Sequence, residues 1–166
     1  MKALIKTIKR LFHSAIQAGD KAPDFLLPSQ TGEKVRLSDL WAKNCVILYF
    51  YPKDDTYGCI AESCEFRDRY EVFKEMGAQV VGISSDGPES HQRFAAKYRL
   101  PFTLLSDEDN RVRKLYGVPS TMGMIPGRVT YLIDTKGVVR FVFNSQFNPK
   151  SHVDQALSIL RECKPC

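Results

Sequence analysis

The 166-residue sequence predicts an α/β fold, a central mixed β-sheet flanked by helices. Three observations carry that expectation. Two continuous apolar runs, CVILYFY (45–51) and AQVVGIS (78–84), have the length and composition of strands buried on both faces. Each is followed by a segment with apolar residues at helical spacing. Towards the end, RVTYLID and VVRFVFN are separated only by Thr135, Lys136 and Gly137, the pattern of a hairpin.

Taken in order, residues 1–18 read as a separate basic amphipathic helix. Leu4, Ile5, Ile8, Leu11, Phe12, Ala15 and Ile16 fall on one face, and the opposite face is basic. Such a helix docks on the domain or on a partner; a membrane-surface or targeting role for residues 2–16 is the less favoured alternative. GDKAPDF (19–25) is an exposed connector into a single domain spanning 19–166. Residues 59–75 are expected as one helix, with Phe66, Tyr70 and Phe73 at helical spacing, and Pro88 to Tyr98 as another. FTLLS (102–106) is a short strand, 109–116 a short helix and 150–162 the final helix.

The bulk numbers narrow the function classes. At 43% hydrophobic and 26% charged the chain is globular, and no apolar run approaches the ~20 residues of a membrane span. The net charge is +5, but Lys2, Lys6, Lys9 and Arg10 supply four of those charges. The rest is nearly balanced, which argues against a nucleic-acid partner. With no GxGxxG and no P-loop, no nucleotide cofactor is expected, nor any metal. Five cysteines, an odd number, and no signal-peptide pattern point to a reducing compartment and a cytoplasmic protein, with a plastid as the alternative. Cys45 reads as a small core residue, and CKPC (163–166) as an accessory tail. Asp54 and Asp55 read as a solvated turn. The histidines at 13, 91 and 152 lie apart from the cysteines in sequence.

The chemistry gathers in DDTYGCIAESC (54–64). A buried strand gives way to a loop, and Cys59 opens the helix that follows. A thiol in the first helical turn faces unpaired backbone N–H groups and the positive end of the helix dipole, which favour thiolate. Thr56 can offer a hydroxyl to whatever approaches the sulfur, and Pro52 fixes the loop entry.

PKDDTYGC is a PxxxTxxC motif, and here the chain resembles the peroxiredoxins. With Cys64 five residues on, it is similar to the Q-type subgroup, the bacterioferritin comigratory proteins. GDKAPDFLLP, VGISSDGPESHQRFAAKYRLPFTLLSD and YGVPSTMGMIPGRVTYLID carry the likeness through most of the chain from Gly19, and PGRVTYLID followed by GVVRFVFNSQFNPKSH looks especially like plant and cyanobacterial members. The resemblance implies a thioredoxin-like fold and a thiol peroxidase acting on hydrogen peroxide and organic hydroperoxides. By position it implies Cys59 as peroxidatic cysteine, Cys64 as resolving cysteine and Thr56 as hydroxyl partner. It also implies Arg128 as the active-site arginine, with Glu62 helping to hold it. Tyr57 and Ile60 stand where the family usually carries proline and threonine. Tyr57 should loosen the loop, and its ring should narrow the peroxide entrance.

On a regular helix, residues five apart have Cα atoms roughly 8–9 Å apart, beyond the ~7 Å limit for a disulfide. The implied cycle therefore requires the helix to unwind after Cys59 is oxidised, before Cys64 attacks it and thioredoxin or a similar dithiol reduces the bridge. Both redox cysteines lie in one helix, so a monomer is expected. The rival reading is a structural zinc or redox-sensing module with Cys59, Cys64, Cys163 and Cys166 as thiolate ligands.

Overall fold

The computed structural model describes residues 15–163 and Cys166. Most of the proposed N-terminal helix lies outside the described residues. Ala15 and Ile16, its last positions, are not helical: Ile16 N donates to Tyr116 O at 3.0 Å, and its side chain packs on the core.

Strands β1 (Leu26–Pro28) and β2 (Lys34–Arg36) form a small antiparallel pair leading into α1 (Leu37–Trp41). The central sheet is built from β3 (Cys45–Phe50), β4 (Ala78–Ser84), β5 (Thr103–Ser106), β8 (Val129–Ile133) and β9 (Val139–Asn144). Its order is β5-β4-β3-β8-β9. The β3–β4 and β4–β5 pairs are parallel, while β3–β8 and β8–β9 are antiparallel, so the sheet is mixed as predicted. Between these strands run α2 (Tyr57–Asp68), α3 (Tyr70–Glu75), α4 (Pro88–Tyr98) and α5 (Arg111–Tyr116). A two-residue pair, β6 (Ser120–Thr121) and β7 (Ile125–Pro126), precedes β8, and α6 (Pro149–Cys163) closes the chain.

The continuous apolar run of β3 follows from its position in the middle of the sheet. Side chains alternate between faces along a strand. Val46, Leu48 and Phe50 join one core with Phe25, Leu37, Val112 and Tyr116. Cys45, Ile47, Tyr49 and Tyr51 join the other, with Phe66, Phe73, Phe94 and Leu157. With helices covering both sides, no position on the strand can be polar. The neighbouring β4 needs a glycine for the same reason: a Cβ on Gly82 would come within 2.7 Å of the Tyr49 ring.

Two expectations about the helices are corrected. The segment 59–75 is not one helix: Arg69, at φ −102° and ψ 5°, leaves the helical region and divides α2 from α3. Phe66 and Phe73 still share one core across the break, with ring centroids 5.7 Å apart, which is why their spacing suggested a continuous helix. The first of these helices also begins earlier than expected. Thr56 is the N-cap, and Cys59 is the third helical residue rather than the first.

Cys45 is a further correction. It is fully buried, as a core residue would be, but its sulfur is bonded to Cys166, with Cα atoms 5.6 Å apart across 121 residues of sequence. The end of CKPC is therefore a staple rather than an incidental tail. The bridge also removes Cys166 from the four-thiolate zinc set.

Candidate active site

The loop after β3 is held from several sides before it reaches Cys59. Tyr51 Oη donates to Asp54 Oδ1 at 2.6 Å, Ser90 Oγ donates to Asp54 Oδ2 at 2.8 Å, and His91 Nδ1 lies 2.8 Å from that same oxygen. His91 Nε2 donates to Leu105 O at 3.0 Å, and the Asp54 amide donates to Asp86 Oδ2 at 2.8 Å. Asp54, expected in a solvated turn, is instead buried at the hub of a polar network. Its neighbour Asp55 is the solvated one, at φ 58° with Lys97 Nζ 3.0 Å away, so the two carboxylates do point apart. Thr56 Oγ1 donates to Lys53 O at 2.9 Å, closing the turn at the helix N-terminus. Its hydroxyl proton is thus directed at the loop rather than at the cysteine.

Cys59 is a free thiol, fully buried beneath this loop. Its amide belongs to the first turn, where N–H groups have no helical acceptor. Arg128, immediately before β8, sends Nη2 to Cys59 Sγ at 3.4 Å and Nη1 to Glu62 Oε1 at 3.2 Å, while Nε donates to Gln146 O at 3.3 Å. All three donor directions of the guanidinium are engaged, so its plane is fixed against the sulfur. Burial alone would make Arg128 easier to deprotonate, but Glu62 and Cys59 beside it more than offset that and hold it charged. The structure thus brings Cys59, Arg128 and Glu62 together.

Gly58 is part of the same fit. A Cβ there would sit 3.0 Å from Arg128 Nη2, so the residue before Cys59 must be small for the guanidinium to reach the sulfur. Pro52 is half-buried at the loop entry. Tyr57, expected to narrow the peroxide entrance, stands 92% exposed on the first turn of α2. Ile60 packs against the core beside Cys59.

Cys64 lies in the same helix as Cys59, half-buried and free. Burial pushes its thiol up, partly countered by Arg67, which favours a protonated thiol. Cys45 is at the opposite end of β3 and disulfide-bonded, with no thiolate to offer a substrate.

Three further residues belong to the site: Arg113, which the sequence did not single out, and His91 and His152, which were set apart from the cysteines there. Arg113 Nη1 donates to Gly127 O at 2.8 Å and Nη2 to Tyr51 O at 2.9 Å, tying the end of β3 to the residue before Arg128. Burial lowers its pKa to about 10, which leaves it charged. His91 braces Asp54 as described. His152, at the start of α6, accepts from Thr130 Oγ1 through Nδ1 at 2.8 Å and donates from Nε2 to Ser145 O at 2.8 Å. Burial lowers its pKa to about 4, and it is neutral near pH 7. Only His91, 32 residues from Cys59, and His152, in the last helix, offered a signal, as polar residues on otherwise apolar helical faces.

The sequence pattern of the AhpC/TSA family matches residues 18–142. Peroxiredoxin Q, chloroplastic, of Sedum lineare is 51% identical over 157 residues, covering 94% of this chain and 84% of its own length. The Arabidopsis thaliana protein of the same name is 49% identical over 156 residues, covering 93% and 72%. Among solved structures, peroxidoxin BcpB from Mycobacterium tuberculosis superposes with a TM-score of 0.82 at 41% identity, covering 88% of this chain and 97% of that one. A cysteine-to-serine mutant of Xylella fastidiosa PrxQ gives a TM-score of 0.82 at 29% identity, covering 89% and 97%.

Proposed function

This chain belongs to the AhpC/TSA family, in its peroxiredoxin Q group, and is a thiol-dependent peroxidase; from that premise we propose that Cys59 is its peroxidatic sulfur and Cys64 its resolving one. The observation that carries the assignment is the 3.4 Å contact from Arg128 Nη2 to Cys59 Sγ. A fixed cation against a buried sulfur stabilises the thiolate, and the same guanidinium can polarise a peroxide bound beside it.

In the cycle, the Cys59 thiolate attacks one peroxide oxygen. The O–O bond breaks, an S–O bond forms, and the other oxygen leaves as water or alcohol after taking a proton. The sulfenic acid is then attacked by Cys64, which releases water and forms a disulfide. Because α2 spans Tyr57–Asp68 without interruption, its first turns must open for the two sulfurs to meet. A dithiol protein such as thioredoxin returns both cysteines to thiols by exchange. Thr56 and Pro52 shape the loop over the sulfur, and Glu62 holds Arg128. The substrate range includes hydrogen peroxide and organic hydroperoxides. Both reacting cysteines belong to one helix, which supports a monomer as the working unit. The plant relatives are named as chloroplastic, which favours the plastid over the cytoplasmic expectation.

A thioredoxin-coupled peroxide-consumption assay tests the assignment. Cys59→Ser should be inactive. Cys64→Ser should react once with peroxide and then turn over poorly. Full activity of Cys59→Ser, or a peroxide-induced bridge from Cys59 to a cysteine other than Cys64, overturns it.

A further inference from the structure

Arg128 is one cation in contact with two acidic groups. Nη2 reaches Cys59 Sγ and Nη1 reaches Glu62 Oε1, and neither Cys59 nor Glu62 is open to solvent. The second carboxyl oxygen, Glu62 Oε2, is buried with no hydrogen-bond partner. His152 Nδ1 faces it from 3.8 Å away. That nitrogen has no proton to give, because it already accepts from Thr130 Oγ1 while Nε2 donates to Ser145 O. On the strand side lies Tyr49, whose hydroxyl is paired with Ser63 Oγ and, being buried, stays neutral. The groups facing Glu62 from α2, β3, β8 and α6 thus supply a single positive charge. An ionised carboxylate with a bare oxygen turned towards a ring-nitrogen lone pair is among the costliest arrangements in an interior.

We propose that Cys59 and Glu62 share one proton across Arg128, and that Glu62 Oε2 carries it whenever Cys59 is a thiolate. This rests on the reading of Cys59 as the peroxidatic sulfur. Glu62 is then a charge-balancing residue and not a second anion competing for the arginine. Burial raises its pKa to about 8, partly countered by Arg128, in keeping with a neutral acid at pH 7.

The role follows from the balance of the oxidation step. The thiolate attacks the hydroxyl oxygen of a hydroperoxide and is oxidised by two electrons to sulfenic acid. The other oxygen departs with the electron pair of the broken O–O bond and takes up one proton. As the negative charge leaves the sulfur, Glu62 releases its proton and becomes the anion paired with Arg128. The site passes from thiolate, acid and guanidinium to sulfenic acid, carboxylate and guanidinium. Its net charge is the same before and after, so the buried arginine is never left unpaired.

The test follows the Glu62 carboxyl itself. Protein labelled with 13C at the glutamate side-chain carboxyl is observed by NMR, fully reduced, in the Cys64→Ser background so that the sulfenic acid persists. One glutamate signal is expected in the protonated position at pH 7, titrating near pH 8. It should be absent from Glu62→Gln and should move to the carboxylate position on one equivalent of hydrogen peroxide. Where Gln is not tolerated, Glu62→Asp makes the same assignment by removing the glutamate signal. A Glu62 signal already at the carboxylate position in the reduced protein at pH 7, or one that stays protonated after oxidation, overturns the inference. Peroxidase activity in Cys59→Ser would instead overturn the assignment of Cys59. An inactive Cys59→Ser with an ionised Glu62 in the reduced protein removes the shared proton alone.

Discussion

His91 Nδ1 lies 2.8 Å from Asp54 Oδ2, and both side chains are closed off from solvent. The other ring nitrogen is engaged with Leu105 O, and Asp54 also accepts from Tyr51 and Ser90. One carboxyl group therefore joins the end of β3, the start of α4 and the loop before Cys59.

Asp54→Ala should separate this network from mere burial. It removes the acceptor of half-buried Ser90 and leaves the buried Tyr51 Oη and His91 Nδ1 with the long 3.3 Å contact between them in place of a carboxylate, at a cost of about 2–4 kcal/mol. Peroxide reduction should slow with it, since residues 53–56 lose their anchor. Asp54→Asn, which can accept from Tyr51 and donate to His91, should cost less than half as much. Urea midpoints decide the matter, and equal losses in the two variants would argue that the network has no directional role.

Gly58→Ala probes the approach of Arg128 to the sulfur. The added methyl would stand 3.0 Å from Nη2, and the guanidinium can yield only by leaving Cys59 or Glu62. The second-order rate with hydrogen peroxide should fall about tenfold or more, with little change in thermal midpoint. Arg128→Lys, which cannot make both contacts, should lose about 10²–10³. Stopped-flow oxidation measures both; a wild-type rate in Gly58→Ala would show that the contact tolerates displacement.

The staple between Cys45 and Cys166 should act on stability and not on catalysis. Closing a loop of this length contributes about 2–4 kcal/mol, which for a chain of this size is roughly 5–15 °C in thermal midpoint. Cys166→Ser should show that loss without reductant and match the wild type in excess dithiothreitol. Its peroxide rate should be unchanged, the sulfur lying at the end of β3 away from Cys59. A large fall in that rate would tie the staple to the chemistry.

Two buried groups shape the pH dependence of stability in opposite senses. Burial raises Glu62 from 4.5 to about 8, so the folded state holds a proton that the unfolded chain releases, and stability falls as pH rises from 4.5 to 8. Burial lowers His152 from 6.5 to about 4, so the unfolded chain holds the extra proton, and stability rises with pH between 4 and 6.5. The two slopes oppose each other up to about pH 6.5, above which the His152 contribution is constant. The stability of the wild type relative to Glu62→Gln, read as the difference of their denaturant midpoints, should therefore decline from pH 6.5 to 8. A difference that stays constant over that range would show that Glu62 gains no proton on folding.

Much of this was legible in the sequence because it rests on local patterning. The run at 45–51 and the hairpin around Thr135 to Gly137 gave the sheet, and the motif around Cys59 gave the centre of the site. Arg128 and Glu62 came from the resemblance, and the geometry joins them. What was hidden depended on contacts between distant segments. Nothing near Asp54 indicates that His91 will shield it from water, and nothing near Cys45 indicates a partner 121 residues away. The break at Arg69 was masked because Phe66 and Phe73 keep helical spacing although the helix between them is interrupted.

That interruption limits how far the opening step can spread. Helical hydrogen bonds form and fail cooperatively, so an unbroken rod from residue 57 to 75 would carry fraying at Cys59 towards Phe73 and the packing beneath it. With a non-helical joint at Arg69, the segment holding both thiols is a cooperative unit of twelve residues, and its neighbour is another. In the cycle proposed above, the first melts and re-forms with each turnover while the sheet and the second stay in place. Catalytic opening and global unfolding are thus governed by different free energies, and selection can tune one without weakening the other.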